Sequence, residues 1–380
     1  MKITILGRGN AGCLTALHYG YYTRNLENVS IELIYDPDIS PEKVGQASLP
    51  DLPDLLWKAL GINWYDNPIE ATPKLGILYE NWGRKNEKFI HPFPLDRLAL
   101  HYNPAKLQEL ILKSGYFSVQ EKHVDSYEDI DSDFIFDCRG KPAENLDDYE
   151  KLINPLNAVL LGEAKSKEAD INWTKAVATP DGWTFVIPNT TQTTSYGYLY
   201  NDEITSTEEA TANFEKIFSL EKQGVHQAEI SNLKFSNYIA KKPIIDNRII
   251  LGGNRLSFLE PLEATAIGAS MDWTRRTFHW IINNATTPDI ISQEIINYTH
   301  QLENYVNWHY TYGSKYDTPF WKAAKNLKIE DPIFDDFLTY AKKLSMIDLL
   351  DNNSIFLNET YGQWKLWNFK YWIDGMTKQS

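Results

Sequence analysis

Residues 2–12 read Lys2-Ile3-Thr4-Ile5-Leu6-Gly7-Arg8-Gly9-Asn10-Ala11-Gly12. Apolar and polar side chains alternate over 2–7, the period of a half-buried strand. Residues 11–24 follow, with Leu14, Leu17, His18 and Tyr21 at helical spacing. Residues 29–36, Val-Ser-Ile-Glu-Leu-Ile-Tyr-Asp, give a second strand. Strand, glycine turn, helix and strand make a βαβ start. The glycines have a mechanical reason: Gly7 allows the tight turn, Gly9 lets backbone approach a pyrophosphate, and Gly12 lets helix and strand pack closely. The helix start at Asn10 and Ala11 offers free N–H groups and the positive end of its dipole to phosphate. Asp36 lies 24 residues beyond Gly12, where an acid accepts a ribose hydroxyl. The stretch predicts a dinucleotide site without separating FAD from NAD.

Working outward, residues 37–53 are rich in Pro and Gly and predict a loop. Residues 104–113 predict an amphipathic helix with Pro104 at its start. Residues 133–137 predict a strand closed by Cys138-Arg139-Gly140, and the charged stretch 141–170 reads as connecting structure. Strand-like segments occupy 184–187, 195–200 and 249–251. Ser206 and Glu209 form a capping box for a helix over about 207–219. A long helix is expected over 265–284, and the chain from about 290 is mostly helical and aromatic. The fold class is therefore α/β. Residues 1–290 are expected to form a Rossmann-type module with an antiparallel sheet inserted at about 150–240. Residues 291–380 are expected to form a helical region packed as one unit with it.

Composition narrows the function. The 380 residues carry 37 Lys+Arg against 51 Asp+Glu, a net charge of −14. So negative a surface argues against nucleic-acid binding and against docking on anionic lipid. No apolar run approaches the ~20 residues of a membrane helix. Two cysteines form neither a disulfide framework nor a CxxC metal site, no metal is expected, and a reducing cytoplasm is the expected location. The 12 Trp, 22 Tyr and 16 Phe fill a core and also suit a pocket for flat, electron-rich ligands.

Several segments in order resemble the flavin-dependent halogenases of the tryptophan-halogenase family. Val44–Pro50 is similar to a conserved loop of that family, which implies that Ala47 and Ser48 contact the cofactor. Thr72–Ile77 with Glu80-Asn81-Trp82 resembles the segment around the family's lysine, here Lys74. Ile90-His91-Pro92-Phe93 resembles its aromatic substrate segment, and Asp137–Gly140 its DCSG. Trp183–Pro188 resembles WxWxIP, Phe258–Thr265 resembles FvePLEST, and His309-Tyr310 with Asp317–Trp321 resembles HY…DTPFW. Four departures stand out: Gln46 for Glu, Phe185 for the second Trp, Asn254 for Asp after Gly253, and Ala264 for Ser.

The resemblance implies a flavin-monooxygenase-like fold and a defined chemistry. Reduced FAD from a separate flavin reductase reacts with dioxygen, and halide (chloride, bromide or iodide) is oxidised to hypohalous acid. That acid passes along an internal channel to an electron-rich aromatic, an indole or phenol. On this reading Gly253 joins the FAD contacts, and Thr265 and Ala266 hold the halide at a helix N-terminus. Lys74 carries the halogen and Glu263 does acid–base work. His91 and Phe93 flank the substrate, while Trp183, Phe185, Ile187 and Pro188 wall the flavin from it. Tyr361, Trp364, Trp367, Tyr371 and Trp372 line the pocket or simply pack. Stacking rather than many polar contacts is expected to hold the substrate, making free tryptophan a poor one. An FAD-dependent hydroxylase and a non-catalytic flavin-binding protein remain alternatives. Oligomeric state stays open, a homo-oligomer included.

Overall fold

A computed structural model of the chain describes residues 1–41, 44–83, 88–94, 97–142, 146–165, 172–190, 193–223, 225, 229–345 and 359–377. The first strand, Lys2–Leu6, lies at the centre of a six-stranded sheet. Across that sheet the order is Ile244–Ile245, Ile249–Leu251, Phe134–Asp137, Lys2–Leu6, Ser30–Tyr35 and Ser118–Glu121. All pairings are parallel except the antiparallel edge strand Ile244–Ile245. Both faces are covered, so the central strand is buried almost throughout. The helix Asn10–Thr23 starts directly at the glycine turn.

A seven-stranded sheet stands beside the first. Its order is Ser231–Lys234, Ala158–Ala164, Thr194–Tyr200, Gly182–Pro188, Thr174–Thr179, Gly76–Glu80 and Lys88–Pro92. The last two strands come from before residue 100, so the sheet is more than an insertion at 150–240. A small sheet places Ala99–Tyr102 between Gln46–Ala47 and Thr72–Lys74.

Two expectations are corrected. The loop assigned to 37–53 ends early, because the helix Asp51–Leu60 begins inside it. Its Pro53 falls in the first turn, where the missing N–H costs nothing, and Gly61 closes it at φ 70°. The stretch 141–170 contains the strands Tyr149–Lys151 and Ala158–Ala164. The fold class itself holds. After residue 287 come the helices Pro288–Thr311, Pro319–Ala324, Pro332–Lys343 and Leu366–Thr377, plus a hairpin of Thr360–Tyr361 with Trp364–Lys365. One hydrophobic core runs from Ile3 to Met376 and joins this region to the rest. No helix among the described residues is long and apolar enough to cross a membrane.

Candidate active site

The C-terminal ends of the parallel strands open onto a cavity of about 550 Å³, the usual ligand position in an open α/β sheet. Gly7, Gly9, Asn10, Ala11, Asp36, Gly253 and Asn254 line it. Gly7 adopts φ +99°, and a Cβ there would meet the Cys138 carbonyl at 2.7 Å. A Cβ on Gly12 would lie 1.9 Å from the Gly7 carbonyl oxygen, so Gly12 serves helix packing beneath the cavity. A Cβ on Gly9 meets nothing within 4 Å, leaving backbone facing open space. That cradle fits a pyrophosphate. Asp36 accepts from His123 Nδ1 at 2.6 Å and from the Asp38 amide at 2.9 Å. Ala47 and Ser48 do not line this cavity. Ala47 faces the next one inward. Ser48 is fully buried, its hydroxyl accepting the Leu100 amide at 2.9 Å and its carbonyl facing Lys74.

A second void of about 50 Å³ lies inward. Gln46, Phe185, Ile187, Pro261, Ala266 and Ile267 line both spaces, so they form the wall between them. Trp183, Phe185 and Ile187 share one face of the strand Gly182–Pro188, as a period of two requires. Pro188 falls on the other face and is no part of the wall. Its carbonyl accepts the Thr72 hydroxyl at 2.9 Å. The Phe185 ring packs where a Cβ on Gly197 would stand, at 2.1 Å, so the smaller ring and the glycine fit each other. Trp183 is held by Nε1 donating to Glu260 at 2.8 Å. Burial pushes the Glu260 carboxyl up to about 7 against the hydrogen bonds it accepts.

Lys74 lines the small void and is fully buried. Its strand pairs with Ala99–Tyr102, whose other edge carries the chain into Ser48. Nζ therefore reaches the Ser48 carbonyl at 3.2 Å, and it sits 5.3 Å from the Phe93 ring centre. Burial lowers its pKa from 10.5 to about 7, with Glu263 opposing.

Glu263 faces both the small void and an outer cavity of about 480 Å³. It has φ 67°, and Ala264 after it has φ 56°. Two successive left-handed residues without glycine cost about 1–3 kcal/mol each. They turn the chain into the helix Thr265–Ile281. Oε1 accepts from the Tyr79 hydroxyl and faces His91 Nδ1 and His309 Nε2, each at 3.1 Å. Oε2 faces Trp364 Nε1 at 3.4 Å. Burial pushes this carboxyl up, but His91 and His309 outweigh it and hold the group well below its ordinary value. At the helix start, Ala266 lines the cofactor cavity and the small void. Thr265 lines neither, and its hydroxyl donates to the Glu260 carbonyl at 3.3 Å.

The outer cavity has two characters. His91, Phe93, Ile77, Trp364 and Trp367 lie at the Glu263 end, while Asp51, Asp272, Arg275 and Arg276 bring charge to the lining. These charges pair with one another, Arg275 with Asp51 and Arg276 with Asp272, and they add polar groups to a lining expected to hold its ligand by stacking. Trp372 is packed in the core. Tyr79 and the placement of His309 and Trp364 at Glu263 escaped sequence reasoning, although the sequence names Trp364 as a pocket-lining or packing residue. Tyr79 shares a strand face with Ile77, as any core strand residue could, and no local spacing links it to Glu263.

Three spaces thus lie in a row, with a buried lysine and carboxylate at the middle one. The family model described as tryptophan halogenase matches residues 2–123 and 116–379. The chain belongs to that family. Its activity is flavin-dependent halogenation of an aromatic with reduced FAD, dioxygen and halide, and this chain is an enzyme of that class. The tryptophan 6-halogenase ThaL of Streptomyces albogriseolus is 23% identical, over 98% of this chain and 87% of that protein. The tryptophan 7-halogenase RebH of Lentzea aerocolonigenes is 22% identical, over 87% of this chain and 80% of that protein. Among solved structures, the tryptophan 6-halogenase SttH of Streptomyces toxytricini superposes with a TM-score of 0.78 at 19% identity, covering 100% of this chain and 91% of that one.

Proposed function

We propose that Lys74 and Glu263 carry the halogenation step in this halogenase. The observation supporting this most is the shared lining: Phe185 and Ala266 face both the cofactor cavity and the small void, and Glu263 faces both the void and the outer cavity. Reduced FAD, when bound, supplies the electrons that activate dioxygen for oxidation of halide to hypohalous acid. Gly7, Gly9, Asn10, Ala11, Asp36 and Gly253 would hold it, and the Ala266 end of the helix would favour the halide. Phe185, Ile187 and Trp183 keep the arene from the flavin and leave only a narrow way through.

Lys74, as an ammonium, donates to the oxygen of HO–X and orients the halogen outward. The ring's π electrons form the C–X bond as the O–X bond breaks. The departing hydroxide takes a proton from Nζ and becomes water. Glu263 then accepts the proton from the halogenated ring carbon, and the C–H electrons restore the aromatic ring. The ring sits between His91 and Phe93, with its substituent toward Asp51 and Arg275. An indole or phenol with a polar substituent suits that lining. A flavin reductase is the diffusing partner, and a reducing cytoplasm suits the free Cys13 and Cys138.

The test is incubation with FAD, a flavin reductase, NADH and chloride, bromide or iodide against indoles, phenols and free tryptophan, read by mass spectrometry. A halogen mass gain is expected. Lys74→Ala and Glu263→Gln should lose that gain while still oxidising reduced flavin, and halogenation at the wild-type rate in either variant would overturn the role proposed for it.

A further inference from the structure

His309 belongs to the helix Pro288–Thr311, and its ring is fully buried. Nδ1 lies 2.7 Å from the carbonyl oxygen of Tyr305, one turn back. A carbonyl only accepts, so Nδ1 carries a proton. Nε2 lies 3.1 Å from Glu263 Oε1. If His309 were neutral and Glu263 ionised, two lone pairs would face each other at that distance in a buried site. One proton between the two atoms removes the conflict.

The neighbouring histidine is fixed differently. The Lys365 amide donates to Asn368 Oδ1 at 2.8 Å, which sets the orientation of that side-chain amide. Its Nδ2 therefore donates to His91 Nε2 at 3.0 Å. His91 is thus neutral, with its proton on Nδ1, and donates to Glu263 at 3.1 Å. Tyr79 donates to the same oxygen, and Trp364 Nε1 faces the other. With these donors already stabilising the carboxylate, the shared proton rests on His309.

We propose that His309 is a positioning residue that holds one proton jointly with Glu263, forming a buried imidazolium–carboxylate pair that keeps Glu263 ionised for the ring proton. This rests on the role proposed for Glu263 above. The ring proton then adds to a carboxylate whose partner already bears a proton, so the acid formed gives its proton up readily. Lys74, Tyr79, His91 and the Tyr305 hydroxyl are the titratable groups surrounding the pair. The Tyr305 hydroxyl has no hydrogen-bond partner among the described residues. The pair titrates as a unit rather than as two separate groups.

The experiment is nitrogen-15 NMR of histidine-labelled holoenzyme from pH 6 to 9, without substrate. Burial pulls the His309 imidazole below its ordinary value, against the upward pull of Glu263 and the Tyr305 carbonyl. Because a neutral ring would set two lone pairs face to face at 3.1 Å, the second pull is expected to win and one imidazolium to persist above the ordinary histidine value of about 6.5. It should vanish in His309→Gln and turn neutral in Glu263→Gln. A His309 ring that is neutral in wild type at pH 7 overturns the proposal. This readout needs no halogenation, so it stands apart from failure of the activity assay. In turnover, His309→Gln should raise the acid limb of the kcat profile by about 1 unit or more, as loss of an adjacent opposite charge does. Tyr79→Phe should move that limb less, and flavin oxidation should be unchanged in both. An equal shift in the two variants would reduce His309 to an ordinary donor.

Discussion

Replacing Lys74 by methionine tests the site through stability as well as activity. Methionine nearly matches the lysine stem in length and carries no charge, so the buried slot stays filled. Lys74 titrates near 7 in the folded protein because burial disfavours its ammonium form, against 10.5 for an exposed lysine. Between those values the unfolded chain binds more protons than the folded one. Stability supplied by the wild-type residue therefore rises with pH across this window and is lost as pH falls through it. The slope approaches ~1.4 kcal/mol per pH unit. From pH 7 to pH 9 the wild type should gain roughly 2 kcal/mol on Lys74→Met, which lacks the titration. Urea unfolding of both proteins at half-unit pH steps measures the difference, and Lys74→Met should be the more stable near pH 6. In the coupled assay it should still oxidise reduced flavin while giving no halogenated product. A difference in stability that is flat from pH 7 to 9 would refute the buried, readily deprotonated lysine. Loss of flavin oxidation along with halogenation would instead move Lys74 into the cofactor site.

Two glycines should fail in different ways. Gly12→Ala, with its Cβ 1.9 Å from the Gly7 carbonyl, should cost about 1–3 kcal/mol or more by overpacking and be visible in thermal unfolding. Gly9→Val projects into open space, so it should fold normally and lose FAD affinity in flavin-fluorescence titration; unchanged binding would remove the pyrophosphate assignment. Glu260, raised by burial from 4.5 to about 7, contributes stability that is complete below pH 4.5 and lost as pH rises through 7. Relative to wild type, Glu260→Gln should therefore gain roughly 3 kcal/mol between those values in pH-dependent unfolding; a parallel pair of curves would mean the carboxyl is ionised throughout.

What could be read from sequence was set by local backbone geometry. The turn Gly7–Gly12 was legible because Gly7 and Gly12 answer to contacts within the motif or with the strand beside it, and Gly9 to the open space that the motif leaves for a ligand. The helix Asp51–Leu60 was not, because Pro50 and Pro53 look like loop residues when the helix start is not known. Lys74 could be named from its flanking resemblance, but its burial depends on Ser48 and Phe93, distant in sequence. The donors around Glu263 come from residues 79, 91, 309 and 364, on separate elements. No periodicity links them. Ser48 and Thr265 were assigned to ligands by motif position, yet their hydroxyls are spent on backbone groups.

The cost of this arrangement argues against a merely structural role. A lysine and two carboxylates are buried in an apolar wall, and Glu263 and Ala264 hold consecutive left-handed conformations. Each feature opposes folding, and hydrophobic residues of similar size would fill the same space more stably. A flavin-binding protein without catalysis needs the glycine cradle and the cavity above it. It has no use for a lysine held near neutrality beside a carboxylate held ionised. Halogenation needs both: a group that donates to the oxygen of HO–X, and one that accepts the ring proton. The Phe185 departure leaves that pair intact, because the ring at 185 still closes the wall against Gly197, and the halide site proposed at the helix start would use backbone N–H groups, which a change at 264 does not remove.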